Sequence, residues 1–267
     1  MFRTRHPIST FAQRWRLRHL LKKHPIPHHI WNAVTQRIQA LKHLDSVERS
    51  QLRALVTWFL FHKTISGAHE LEITAEMKVT VSVLVCLPVL KLGTSYLDGW
   101  SEVILYPGAF RANHVQMDDS GLVYQDTNAL SGQAWLHGPL ILSWEDVQQN
   151  AFKPLSGHNV VIHEIAHKLD GLNGAMNGMP PLHLLMIRKN WTQSFSKAYQ
   201  DLRHQLTTGR HPTIDAYAAT NPAEFFAVVS EYFFTAPQVL VDHYPDVYRQ
   251  LLQFYRQQTL KSGKTPT

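Results

Sequence analysis

His163, Glu164 and His167 stand in the order His-Glu-x-x-His. On a helix, residues four apart lie one turn apart on the same face, so both imidazoles can reach a single metal ion. Glu164 is placed to take a proton from a metal-activated water and pass it to a leaving amine. Zinc at such a site lowers the pKa of that water to about 7 and polarises a scissile carbonyl. With 17 histidines in the chain, random order produces the pattern roughly 0.04 times, so the motif alone is suggestive rather than decisive. Its setting strengthens it: Val160-Val161-Ile162 leads in with an apolar, helix-compatible run.

A catalytic zinc usually has three protein ligands and one open position. The metzincin pattern would need Gly at 170 and His at 173, where the chain has Asp170 and Asn173. Asp170 reads either as a carboxylate holding an imidazole or as a helix-terminal surface group. The third ligand must then come from another segment, and the best supplier is the block from Asp215 to Phe234. There, Glu224 and Glu231 stand seven apart on a helix crowded with Phe225, Phe226, Val229, Phe233 and Phe234. Carboxylates on so apolar a helix need a partner, and a metal is one. Glu224 also reads as the N3 residue of a helix capped by Asn221. Glu231 also reads as a salt bridge or hydrogen bond to a buried group. Pattern leaves the two tied, and Tyr217 reads by itself as a packing tyrosine.

Several elements must position these groups. Asp45 with Glu48 is a capping-box signature opening a helix whose Leu52, Leu55, Val56 and Phe59 follow the 3.6 period. Thr74 is placed to cap a second helix running to Gly93, although the β-branched residues Val79, Thr80, Val81, Val83 and Val85 keep a strand reading open. Strand-like runs follow at Glu102–Tyr106, Leu122–Gln125 and Leu140–Trp144. Helix is expected again from Gly157 to Asp170, then from His183 to Leu206 after a Gly/Asn-rich loop, and from Asn221-Pro222 onward. Helices, a small sheet and helices again indicate an α+β fold.

The 26 Lys+Arg against 20 Asp+Glu give +6, but nine of the bases and none of the acids fall in residues 1–44. The remainder therefore carries −3, which argues against direct nucleic-acid binding, and no recognised binding motif is present. Residues 1–44, interrupted at Pro25 and Pro27, are expected to be a loosely attached basic arm. Residues 1–30 lack an apolar signal-peptide core. Val79–Leu90, the most apolar stretch, falls short of the roughly 20 residues that a bilayer span needs. A single cysteine, Cys86, excludes an internal disulfide and a Cys-rich metal cluster. A cytoplasmic protein without membrane association is expected.

His163-Glu-Ile-Ala-His-Lys-Leu-Asp170, Ile214-Asp-Ala-Tyr217 and Asn221-Pro-Ala-Glu224-Phe-Phe-Ala-Val-Val-Ser-Glu-Tyr-Phe-Phe234 together resemble the Mlc titration factor A family. Cys86-Leu-Pro-Val-Leu, Leu97-Asp-Gly-Trp and Gly132-Gln-Ala-Trp135 are similar to it as well, and the resemblance spans about residues 45–255. It implies a zincin-like metallopeptidase related to the anthrax lethal factor core, with aminopeptidase activity and one zinc ion per chain. It further implies His163, His167 and Glu224 as zinc ligands, Glu164 as general base and Tyr217 as the oxyanion stabiliser. The alternative it carries is a regulatory protein that sequesters a transcriptional repressor of the Mlc type. Three segments are expected: the basic arm 1–44, a peptidase domain over 45–258 and a flexible tail over 259–267. A peptide or protein substrate is the expected partner, and the strand before the active-site helix, or the segment Gln133–Leu136, could pair with it.

Overall fold

The computed structural model describes residues 19, 21–108, 137–152 and 157–260, together with the backbone pairing of 116–117 and 123–124. Residues 1–18 of the arm, the motif at 132–135 and the segment 133–136 lie outside the described residues.

Helix α1 (His28–Thr35) is followed by α2 (Ser46–His62). The expected capping box opens α2: Glu48 N donates to Asp45 Oδ1 at 2.7 Å, and Asp45 N to Glu48 Oε2 at 3.2 Å. Strand β1 (Thr64–Gly67) leads to α3 (Ala75–Val89), whose N-cap Thr74 accepts from Met77 N at 3.2 Å. The strand alternative for this run fails. Residues Val79 to Val89 are buried without a break, and a helix apolar all round is central to a core.

β2 (Glu102–Tyr106) and β5 (Leu140–Ser143) complete a parallel three-stranded sheet in the order β1-β2-β5. Ile65 stands opposite Val103, and Val103 opposite Leu140. Helix α3 forms the crossover between β1 and β2 that parallel pairing requires. β3 (Gln116–Met117) and β4 (Val123–Tyr124) pair antiparallel by themselves. The mixture, helices around one small sheet, is consistent with α+β.

After β5 come α4 (Trp144–Phe152), α5 (Val160–Asp170), α6 (Arg188–Thr207), α7 (Pro222–Thr235), α8 (Pro237–His243) and α9 (Pro245–Tyr255). Helix α5 lies between α3 and α7 and packs most extensively on α7. Helix α6 begins later than His183: Leu184, Leu185 and Ile187 before it are exposed on the surface.

The expected arm is corrected over residues 26–44. Ile26, Trp31, Val34, Ile38, Leu41 and Leu44 are buried in the main core, and α1 packs against α3. Arg53 donates to Ile26 O at 2.7 Å and Arg49 to Leu41 O at 2.8 Å, tying the segment to α2. Its bases Arg37 and Lys42 face outward, so the charge run is the exposed face of a packed element. At the other end, Thr259 is buried beside Tyr248, and residues 261–267 of the expected tail lie outside the described residues. No helix among the described residues is long and apolar enough to cross a membrane.

Candidate metal centre

Helix α5 starts where Asn159 caps it, its side chain accepting from Ile162 N at 3.1 Å. Val161, Ile162, Ile165, Ala166 and Leu169 fill the core, which leaves His163 and His167 facing Glu224 of α7 and Glu164 partly exposed beside them. Helix α7 starts in the same way. Asn221 accepts from Glu224 N at 3.0 Å and Pro222 occupies the first turn. The two readings of Glu224 are therefore compatible: its backbone amide completes the cap, and its carboxylate is left to meet the histidines.

That carboxylate closes a tight cluster. Glu224 Oε2 lies 3.0 Å from His163 Nε2 and 3.2 Å from His167 Nε2, and the two nitrogens are 3.1 Å apart. Ligand atoms around a tetrahedral ion with bonds of about 2.0–2.1 Å lie roughly 3.3 Å from one another, so the spacing suits zinc. His163, His167 and Glu224 form the group of potential metal ligands among the described residues.

The chemistry of the donors points the same way. His163 Nδ1 lies 2.8 Å from Glu231 Oε1, and a carboxylate only accepts, so Nδ1 carries the proton. A neutral ring then offers a bare lone pair at Nε2, facing an anionic oxygen and a second imidazole nitrogen. Electron-rich atoms at such distances are held together by a cation or by a shared proton. Without an ion, a proton takes that role. Burial disfavours a charged ring, yet hydrogen bonds to Glu224 and Glu231 outweigh it and raise His163 to about 10. Against the same burial, His163 and His167 hold Glu224 well below the usual carboxylate range.

Glu231 thus breaks the tie with Glu224 by taking a different place. One oxygen receives His163 Nδ1–H, and the other receives the amide of Asn159. It fixes the ring's tautomer and anchors the residue that caps α5. Pattern had offered a hydrogen bond to a buried group as its alternative; the seven-residue spacing from Glu224 was the signal that both face α5.

Tyr217 sits on a 3-10 turn, Ala216–Ala219, just before α7. Its ring centroid is 6.1 Å from that of His163, and its hydroxyl lies near the Glu224 carboxylate. Burial and the Glu224 charge push its pKa up, so the hydroxyl keeps its proton and remains a donor. Glu164 is half-buried, and its charge acts on His163, Tyr217 and Lys168.

Asp170 is tied to the loop that follows α5. Fully buried, it accepts from Gly178 N at 2.7 Å, and Trp191 Nε1 donates to Gly178 O at 3.0 Å. Gly178 has φ +76°, and a β-carbon there would overlap the Pro222 carbonyl. The loop after α5 is thereby pinned to the first turn of α7, which carries Glu224. Burial raises Asp170 to about 6, opposed by that amide bond and the His167 charge.

A profile of the glucose-regulated metallo-peptidase M90 family matches residues 12–256, extending the likeness well before residue 45. The chain is 40% identical over 225 residues to Mlc titration factor A of Klebsiella pneumoniae subsp. pneumoniae, covering 84% of each protein. It is 41% identical over 226 residues to the Serratia proteamaculans protein of that name, with 84% and 85% covered. Against its Pectobacterium atrosepticum counterpart it is 39% identical over 250 residues, with 88% and 93% covered. With a match along nearly its whole length, this chain belongs to the glucose-regulated metallo-peptidase M90 family, alongside the proteins named Mlc titration factor A.

Proposed function

We propose that the protein is a zinc-dependent peptidase of zincin-like fold acting on free peptide amino termini in the cytoplasm. The observation that carries the reading is the convergence of His163 Nε2, His167 Nε2 and Glu224 Oε2 within 3.0–3.2 Å. These three side chains would hold the ion. Bound zinc supplies Lewis acidity toward water and toward the scissile carbonyl. Glu164 takes the proton released as water attacks and returns it to the departing amine. Tyr217 donates its hydroxyl proton in a hydrogen bond to the oxygen on which charge develops. Glu231 keeps His163 turned toward the ion through Nδ1. Amino-terminal specificity follows the resemblance to the family. Among the described residues β5 is paired on one side, with β2, and is the strand nearest in sequence to α5, which supports peptide pairing.

The test is reconstitution. Protein stripped by a chelator is expected to lose hydrolysis of free-amine peptides and to regain it with one equivalent of zinc. Full activity in metal-free protein would contradict the reading.

The relatives' name favours a second role, sequestration of an Mlc-type repressor. It predicts that Glu164→Gln, with the surface unchanged, binds such a repressor as tightly as the parent; loss of binding would tie the partner to turnover instead.

A further inference from the structure

We infer that Asp215 is a positioning residue that aims Tyr217 at the metal centre, beside Tyr232 and His158. The inference rests on the proposed oxyanion role of Tyr217. Tyr217 is 43% exposed, so its own packing holds it weakly. What holds it is the turn beneath it. Asp215 Oδ1 accepts from Tyr217 N at 2.9 Å, and Asp215 O accepts from Ala218 N at 3.1 Å, so one residue closes the turn from both its side chain and its backbone. Buried Ile214 and Ala218 root the turn on either side.

The second carboxylate oxygen looks elsewhere. Asp215 Oδ2 lies 3.6 Å from His158 Nδ1, and His158 directly precedes Asn159, the cap of α5. The Tyr232 hydroxyl lies near the Asp215 backbone, and the same ring lies against Gly157, where a β-carbon would overlap it and φ is +73°. Adjacent residues of α7 therefore reach back to one place: Glu231 to His163 and Asn159, Tyr232 to Gly157 and Asp215. The ligand-bearing helices and the tyrosine's turn are fastened at a single junction. Loss of the Asp215 carboxylate frees the turn that carries Tyr217, whereas the helices bearing His163, His167 and Glu224 keep their own caps at Asn159 and Asn221. Misplacement of about 1 Å is enough to cost on the order of 100-fold in rate.

A residue that merely caps a turn and one that acts through Tyr217 differ in a double-mutant cycle. The measurement is kcat, KM and zinc content for a free-amine peptide substrate, using zinc-loaded Asp215→Ala, Asp215→Asn, Tyr217→Phe and the Asp215→Ala/Tyr217→Phe double variant. Tyr217→Phe is expected to lower kcat by about 100-fold, the scale of one lost oxyanion donor. Asp215→Ala is expected to lose about 10- to 100-fold in kcat with KM and zinc content unchanged. Asparagine, whose side-chain oxygen accepts the same amide, restores most of the rate. The double variant is expected to be no slower than Tyr217→Phe alone. Losses that multiply, or an Asp215→Ala enzyme with parental kcat, overturn the inference while the role of Tyr217 stands. A Tyr217→Phe enzyme with parental kcat overturns that role, and this inference with it. Should Asp215→Ala not fold, Tyr232→Phe replaces it. That change removes the hydroxyl beside Asp215 and keeps the ring, and the same non-additivity with Tyr217→Phe is required.

Discussion

Replacing Glu231 with glutamine separates what this carboxylate does for the metal from what it does for the helix. Glu231 is 5% exposed and serves two donors, His163 Nδ1–H through one oxygen and the Asn159 amide through the other. Glutamine keeps one accepting oxygen and sets an NH2 against the remaining donor. One buried N–H then loses its partner, at a cost of about 1–3 kcal/mol in stability. The imidazole also loses the negative charge behind it. Removing such a partner typically weakens metal affinity about 10- to 100-fold, or roughly 1.4–2.8 kcal/mol. Zinc affinity by chelator competition and thermal unfolding of the zinc-free protein report the two losses separately. Both are expected in Glu231→Gln, with the three ligands untouched and one zinc still bound at saturation. Parental zinc affinity in that variant would refute the orienting role and leave Glu231 as a structural anchor for Asn159.

Glu224→Ala is expected to abolish tight zinc binding while the protein stays folded, because the Asn221 side chain still caps the residue 224 amide; retained one-to-one zinc would remove Glu224 from the ligand set. The pH dependence of zinc-free protein follows from His163, whose folded value, raised from 6.5 to about 10, makes its stabilisation complete below pH 6.5 and lost as pH rises toward 10. Zinc must displace that proton, so calorimetry near pH 8 in buffers of different ionisation enthalpy should show about one proton released per zinc; a binding enthalpy indifferent to buffer would contradict it. Gly178→Ala forces a side chain into positive φ against Pro222 and should cost about 2 kcal/mol or more, read as a lowered Tm; an unchanged Tm would mean that the loop is not pinned there.

Much of this was legible in the chain because caps and turns are local chemistry. Asp45 with Glu48, Thr74, and Asn221-Pro222 each mark a helix start that the structure keeps. The histidine pair and Glu224 come together across 57 and 61 residues, a contact that spacing alone left tied with Glu231. Strand β1 escaped notice because Thr64–Gly67 buries only Ile65 fully and ends in glycine, too short for a period-two pattern. Helix α3 looked ambiguous for the opposite reason: burial on every side erases the periodic signal, and only its cap distinguishes it. Residues 26–44 were misjudged from their charge, since Trp31, Ile38 and Leu41 bury themselves beneath the bases. The contacts of Glu231 with Asn159, of Asp215 with His158 and of Tyr232 with Gly157 join segments 72, 57 and 75 residues apart, and no local pattern announces them.

The most direct test of the peptidase reading is hydrolysis of paired peptides, free and blocked at the amino terminus, by zinc-loaded wild type and Glu164→Gln. Both should bind one zinc, since Glu164 lies outside the cluster of His163, His167 and Glu224. Wild type is expected to cleave the free-amine peptides, with turnover in Glu164→Gln lower by at least about 100-fold. Equal turnover in the two proteins would contradict Glu164 as the base, and no cleavage by either at full zinc occupancy would contradict the peptidase itself.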